Sequence, residues 1–377
     1  MEAETLRAAG WRVVVISPQG AGGRRWHQTI QGIEVFRYPL PTTASGLVPH
    51  LLEYGVALPA TLILALLARL RGRIDVVHAC NPPDFMFPIG RLLRGLGAAF
   101  VFDQHDLAPE LFVAQGGRTG SAVHRFLLWA ERMTYRSADA VIATNETYRR
   151  FAEERGRRST DDVFVVRTSP DPKRVFRVEP DPLLRAGRPW LVAYLGTMGV
   201  QDGVDLFLHA AAVIARQRPG QVRFVAIGGG DELEALRRLA AELALAEDVL
   251  FTGRVSDDVL RTYLSTADVG VSPDPRNGFN EFCTMNKTLE YMASGLPVAA
   301  FDLEETRVSA GLAAAYATPN EPQALADVIV ALLDDPERRA GMGQVGRDRI
   351  AGPLGWTSSA AELVAAYERA MVARGAR

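Results

Sequence analysis

The chain has 377 residues, so at about 100–200 residues per domain two domains are expected. Hydrophobic residues make up 48% and charged residues 23%, which excludes a disordered chain, and a net charge of −2 offers no basic surface to nucleic acid. Cys80 and Cys283 are the only cysteines, too few for a disulfide framework or a four-thiolate zinc site, and they suit a reducing cytosol.

Residues 1–10 carry Glu2 and Glu4 and no apolar core, so they do not read as a signal peptide; they read as the tail of a helix. Strands follow at residues 12–17 and 33–37. The most apolar stretch, residues 56–68, contains Pro59 and is too short to cross a bilayer. Arg69, Arg71 and Arg73 come directly after it. It reads as a buried helix with a basic end that suits its dipole. A helix lying on anionic lipid is the second reading. Further strands are expected at 75–79, 99–103, 140–144 and 163–167, then at 190–195, 222–227, 249–252, 269–272 and 298–301. Most are continuous Val/Ile/Ala/Phe runs, the pattern of strands buried on both faces. Amphipathic stretches such as 231–246 and 322–334 lie between them. Strand–helix alternation of this kind implies α/β architecture with parallel sheets wrapped on both sides. Prolines at 170, 172, 180 and 182 mark a linker. The organisation expected is a first domain over residues 1–170, a second over 171–356, and a last helix near 357–374 that returns to the first. Ligands are expected in a cleft beyond the carboxyl ends of the strands.

The densest constellation of functional side chains runs from Asn286 to Val298. It reads as a helix from about Thr284 to Ser294 with Thr284 as N-cap, then a glycine turn and a buried strand. A helix N-terminus offers free N–H groups and a positive dipole end to phosphate. Lys287 stands in the first turn, where a cation opposes the dipole by about 0.3–1 kcal/mol unless an anion is bound. Of the 42 lysines and arginines only Lys173 and Lys287 are lysine, so each is expected where arginine does not serve. Lys287 and Glu290 share a face. One ligand can therefore meet both, diphosphate at Lys287 and ribose hydroxyls at Glu290; a surface ion pair is the plainer reading. The loop holding Gly196, Gly199 and Gly203 allows a close backbone approach to a ligand, or simply makes a tight turn. The run Gly228-Gly229-Gly230-Asp231-Glu232 looks like a phosphate loop, but its acids would repel phosphate. It reads as a turn with Asp231 as N-cap. His78 and His105 stand at strand ends, where an imidazole can bond a sugar hydroxyl or serve only structure. His78, Cys80 and His105 lack tight ligand spacing, so no metal site is expected.

Together these residues resemble the nucleotide-sugar-dependent glycosyltransferases of family 4 over almost the whole chain. The resemblance rests on the run from Lys287 to Val298, on Phe251-Thr252-Gly253-Arg254-Val255-Ser256, on the run from Ala267 to Pro273, and on the loop from Gly196 to Gly203. The run from Gln104 to Leu111 resembles the subgroup that builds bacterial surface polysaccharides. The resemblance implies the GT-B fold, two tandem Rossmann-like domains facing a cleft. It implies retaining transfer from a nucleoside diphosphate sugar, UDP-linked, to a glycan or lipid-linked acceptor, with no cofactor and no essential metal. The implied enzyme is cytoplasmic, with peripheral contact at the inner face of the membrane. His105 and Lys287 become the catalytic candidates, His105 close to the transferred sugar. Gly196, Thr197, Gln201, Asn286 and Lys287 are assigned to the diphosphate, Glu290 to the ribose, and Arg254 and Val255 to the base. The chain departs from the family in three places. Thr197 and Asp202 stand where an Arg and a Lys often grip the diphosphate. Phe282 stands where a first glutamate is found, eight before Glu290, with Glu281 one place off. The family's first strand and its glycine-rich loop are missing before Glu2, and a start placed too late is the expectation. A catalytically inactive binding or scaffold subunit, and an epimerase or hydrolase of the same fold, remain the alternatives.

Overall fold

The computed structural model describes residues 1–19, 26–40 and 47–375. The chain divides into two units: unit 1 is Met1–Pro109, Gly120–Arg167 and Thr357–Arg377, and unit 2 is Glu110–Thr119 and Thr168–Trp356.

Unit 1 contains two sheets among its described residues. The first joins β1 (Val14–Pro18), β2 (His27–Ile30) and β3 (Ile33–Tyr38) in the order β1-β3-β2. β1 runs parallel to β3, and β2 is antiparallel to it. β2 is absent from the sequence expectations because His27-Gln28-Thr29 is polar. Its turn is the better signal: Gln31 (φ 50°) and Gly32 (φ 80°) make a two-residue connection with positive φ at both places, the geometry that matches strand twist. The second sheet is all parallel, β4 (Val76–Cys80), β5 (Ala99–Gln104), β6 (Ala140–Ala143) and β7 (Val163–Val165) in that order. β5 and β6 are buried at every residue, whereas β1 and β4 are mostly half-buried. β1 pairs with β3 and β4 with β5, so among the described residues each is the edge of its sheet.

The apolar stretch near residue 60 lies in a 25-residue helix, Leu47–Arg71. Leu58, Leu62 and Ala65 pack against Ile16, Val77, Ile89 and Leu93. Val56, Ile63, Leu66, Leu67 and Leu70 face outward, Leu70 at 82% exposure. The expected buried helix is thus buried along one stripe only; the other repeats at i, i+3, i+4 and i+7 on the solvent side. Among the described residues no helix is long and apolar enough to cross a membrane. The helix Trp356–Gly375 packs in unit 1: Ser359 Oγ donates to Arg167 O at 2.8 Å, and Arg374 reaches Asp75 Oδ1 at 2.9 Å.

Unit 2 holds one parallel sheet of β8 (Trp190–Leu195), β9 (Val222–Ile227), β10 (Val249–Gly253), β11 (Val269–Ser272), β12 (Val298–Phe301) and β13 (Ala314–Ala317). Their order is β10-β9-β8-β11-β12-β13. The side-chain period of two sends Val192 and Tyr194 to one core layer and Leu191 and Ala193 to the other. β13 escapes sequence reading because alanine is a poor strand former, and only burial recruits it. The order reverses between β8 and β11. In open parallel sheets ligands bind at such a switch point, beyond the carboxyl ends of the strands.

Candidate functional site

At the switch point of unit 2 the chain leaves β8 through Gly196 and leaves β11 through Pro273 and Asp274. Two glycines make the crowding possible. A Cβ on Gly203 (φ 66°) would meet Pro273 O at 2.1 Å, and one on Gly228 (φ 129°) would meet Gly196 O at 1.9 Å. The Gly228–Gly230 run therefore braces the β8 loop: Met198 N–H donates to Gly229 O at 3.2 Å and Glu232 N–H to Met198 O at 3.0 Å. The following helix is Leu233–Glu242 with Glu232 at its N-cap, so Asp231 is not the cap that the sequence suggested.

The helix carrying Lys287 is Asn286–Ala293, and its N-cap is Met285 rather than Thr284. No side chain caps it, which leaves its first N–H groups available to an anion. Tyr291 ties it to the sheet: its Oη accepts from Leu195 N–H at 2.7 Å and donates to Val271 O at 3.1 Å. Lys287 is buried and its Nζ bonds Asp274 Oδ1. Asp202 Oδ1 lies 3.9 Å from the same Nζ, and the Tyr194 ring centroid 5.5 Å. Asp274 also accepts from Ser272 Oγ at 2.6 Å. Asp202 holds its own loop, accepting from Gly199 N–H at 2.9 Å and Gln201 Nε2 at 3.3 Å. Burial raises the Asp202 carboxyl above its ordinary value, with Lys287 and the Gly199 N–H pulling against it.

The structure gathers the predicted residues of unit 2 unevenly. Gly196 lies against Lys287, 3.1 Å separating its would-be Cβ from Lys287 Cε. Thr197 O accepts from Tyr194 Oη at 2.5 Å, and Gln201 O from Asn280 Nδ2 at 2.8 Å. Asn286 and Arg254 are exposed; Val255 is half-buried against the second core layer. Glu290 stands 3.8 Å from Arg174 Nη1, and Arg174 in turn bonds Asp257 at 2.8 Å. Burial pushes the Glu290 carboxyl up, opposed by Arg174. Sequence reasoning missed Asp274 and Arg174. Asp274 follows a buried strand, a place that does not by itself tell a buried acid from an exposed one, and Arg174 lies inside the proline-rich linker.

In unit 1, β4 and β5 bring a second set together. Cys80 pairs in register with Asp103, and the strand period puts His78 on the same face as Cys80. Asp103 is buried, and its Oδ2 lies 2.8 Å from His105 Nε2, 3.1 Å from His78 Nε2 and 3.5 Å from Cys80 Sγ. His78 Nδ1 is 2.9 Å from Tyr367 Oη. Asn81 Oδ1 accepts from His105 N–H at 2.6 Å, fixing the loop after β5. Burial works against a charged His105, but the hydrogen bond to Asp103, with Cys80 beside it, outweighs burial and pushes the imidazole up to about 11. Burial likewise opposes ionisation of Asp103, and the two histidines together hold its carboxyl far below the usual range. These residues have no tight ligand spacing along the chain, yet His78, Cys80 and Asp103 place one ligand atom each within 4.8 Å of one another. Strand pairing, not sequence spacing, makes the cluster.

Family comparison assigns the class. A model for the "Glycosyl transferase 4-like domain" matches residues 1–168, and one for "Glycosyl transferases group 1" matches residues 189–335. The chain belongs to the family 4 type of glycosyltransferases with the GT-B fold, and is an enzyme of the transferase class. Among its relatives is the D-inositol 3-phosphate glycosyltransferase of Thermobispora bispora, 28% identical over 80% of this chain and 72% of that one. The GDP-mannose-dependent alpha-(1-6)-phosphatidylinositol monomannoside mannosyltransferase of Mycobacterium tuberculosis is 31% identical over 50% of this chain and 51% of its own length. The chain thus spans about half of that mannosyltransferase. The fold matches sucrose-phosphate synthase from Thermosynechococcus elongatus with a TM-score of 0.77 at 20% identity, covering 96% of this chain and 90% of the other. Anabaena HepE, solved with UDP and glucose, matches with a TM-score of 0.67 at 18% identity over 88% and 84%.

Proposed function

We propose that the protein transfers a sugar, with retention, from a UDP-linked donor to a glycan or lipid-linked acceptor in cell-surface polysaccharide or glycolipid assembly. The observation that carries this reading is Lys287 at the uncapped N-terminus of its helix, beside the β8 loop at the switch point. Glycosidic cleavage builds negative charge on the leaving diphosphate. Fixed N–H dipoles and one ammonium stabilise that charge as it grows. The acceptor oxygen attacks C1 from the face the diphosphate leaves; the C1–O bond to phosphate breaks and the acceptor proton passes to the leaving phosphate oxygen. Gly196, Thr197 and Gln201 line the diphosphate from the β8 side and Asn286 from the helix side, Glu290 takes the ribose hydroxyls, and Arg254 and Val255 border the base. His105 offers a partly exposed imidazole to a sugar hydroxyl. The transfer runs without a cofactor or metal, so turnover survives treatment with EDTA.

A thermal-shift series with UDP, GDP and ADP tests the donor. At 100 times its dissociation constant the true nucleotide stabilises by about 2.7 kcal/mol. A shift with GDP alone overturns the UDP assignment; a shift with none of the three, in folded protein, overturns the site. Residues Ile63, Leu66, Leu67 and Leu70 support a second element of the reading, that the enzyme rests peripherally on the cytoplasmic face of a membrane where a lipid-linked acceptor is found.

A further inference from the structure

We propose that the carboxyl end of β4 and β5 in unit 1 is a binding site for one divalent transition-metal ion of the zinc type, with His78 Nε2, Cys80 Sγ and Asp103 Oδ2 as ligands. An imidazole, a thiol and a carboxylate form a borderline-soft set, which suits zinc and cobalt and not magnesium or calcium. Zinc bonds of about 2.0–2.3 Å give tetrahedral ligand–ligand edges of about 3.3–3.8 Å. The edges from Asp103 Oδ2 are 3.1 Å to His78 Nε2 and 3.5 Å to Cys80 Sγ, and the three ligand atoms all lie within 4.8 Å of one another, so side-chain adjustment brings them around one ion. The surroundings match a metal centre in two further respects. Among the described residues Asp103 Oδ1 is buried with no hydrogen-bond partner, so the carboxylate has spare acceptor capacity. With Nε2 on the ion, His78 Nδ1–H donates to Tyr367 Oη, the outer partner that orients a ligating imidazole. Cys80 is exposed, which leaves a path for the ion to enter. Glu2 lies beside the set, its Oε2 3.9 Å from His78 Nε2, and can supply the fourth ligand.

The ion is not required for transfer. It competes for the Asp103 oxygen that now holds His105, so bound zinc slows transfer; this consequence alone rests on the reading of His105 as a sugar contact. Direct binding separates the two ideas. The purified full chain, stripped with EDTA, is titrated with Zn²⁺ against a chromophoric chelator and, in parallel, with Co²⁺ read by absorbance. The expected result is one ion per chain and a thiolate-to-cobalt charge-transfer band. Cys80→Ser removes the band, and Cys283→Ser keeps it. Tyr367→Phe weakens zinc by about tenfold, as loss of an outer partner does. Asp103→Asn weakens it by about a hundredfold or more, and circular dichroism confirms that each variant is folded. No band and no competition from folded wild-type chain overturn the proposal and leave a plain His–Asp–His hydrogen-bond network; so does zinc binding unchanged in both Cys80→Ser and Asp103→Asn. Neither result bears on nucleotide binding in unit 2.

Discussion

Lys287 is held between two carboxylates, and that makes it a demanding residue to replace. Truncation to alanine strands Asp274 as a buried, unpaired charge, a change that costs about 3–5 kcal/mol. Lys287→Gln keeps a donor beside Asp274 and is the cleaner variant. It should abolish the nucleotide thermal shift and turnover while the apo chain stays folded; a folded Lys287→Gln enzyme with full turnover rejects the phosphate assignment. Asp202 gives the opposite expectation. In the proposed donor site its charge faces the phosphates, and at about 6 Å a like charge costs about 0.7–2.8 kcal/mol for effective dielectrics of 80 to 20. Asp202→Asn keeps an acceptor for the Gly199 N–H and should tighten UDP by about threefold or more, measured by titration calorimetry. The sign extends to pH. Because the Asp202 carboxyl is raised, acid protonates it before an ordinary aspartate. The affinity advantage of Asp202→Asn over wild type should therefore shrink as pH falls into the acid range. An advantage that grows in acid would show that Asp202 does not oppose the phosphates. Lys287 was legible in the sequence through its scarcity and its place in a first helical turn. Asp274 was not, because a single acid after a strand looks the same whether it faces solvent or, as here, a buried ammonium.

At the scale of elements, glycines and helix faces carry the testable content. Gly203 has φ 66° and no room before Pro273 O, so Gly203→Ala combines a left-handed backbone with a clash. It should destabilise unit 2 by about 1–3 kcal/mol, read as a lower denaturation midpoint, whereas Gly278→Ala, with nothing within 4 Å of its would-be Cβ, serves as the control. The helix Leu47–Arg71 should carry membrane contact through its outer stripe. Leu66→Ser with Leu70→Ser removes apolar area without touching Leu58, Leu62 or Ala65, so co-sedimentation with anionic vesicles should fall several-fold at unchanged stability. Equal sedimentation by the double variant would assign the contact elsewhere. Elements were legible where composition and burial agreed: the runs at 190–195, 222–227, 269–272 and 298–301 match β8, β9, β11 and β12 residue for residue. Reading failed where they parted. β2 is polar, β13 is alanine-rich, and the helix at residue 47 has an apolar solvent face that its composition had assigned to the core. Cap positions slipped by a residue at Met285 and Glu232 because the side chains that favour capping, Thr284 and Asp231, are not the ones at the boundary.

Across the whole molecule, the two units differ in how their sheets are built. Unit 2 spreads one continuous six-stranded sheet between two core layers. Among the described residues unit 1 divides its strands between two sheets, and the edge strands β1 and β4 are mostly half-buried while β5 and β6 are closed off completely. Amide protons report such a difference directly, since local opening ranges from nearly free to the full cost of global unfolding. The amides of β5, β6 and β8 should be the last to trade hydrogen for deuterium. Those of β1, β2 and β3 should trade earlier and together, as one cooperative segment that opens while the rest of unit 1 stays closed. Read by mass spectrometry of peptides, uniform protection across unit 1 would mean that its two sheets unfold as one. A separate early phase would mean that this polypeptide breathes through the sheet of β1, β2 and β3, leaving the histidine–aspartate cluster at the end of β5 anchored in the slowest-exchanging part of the unit.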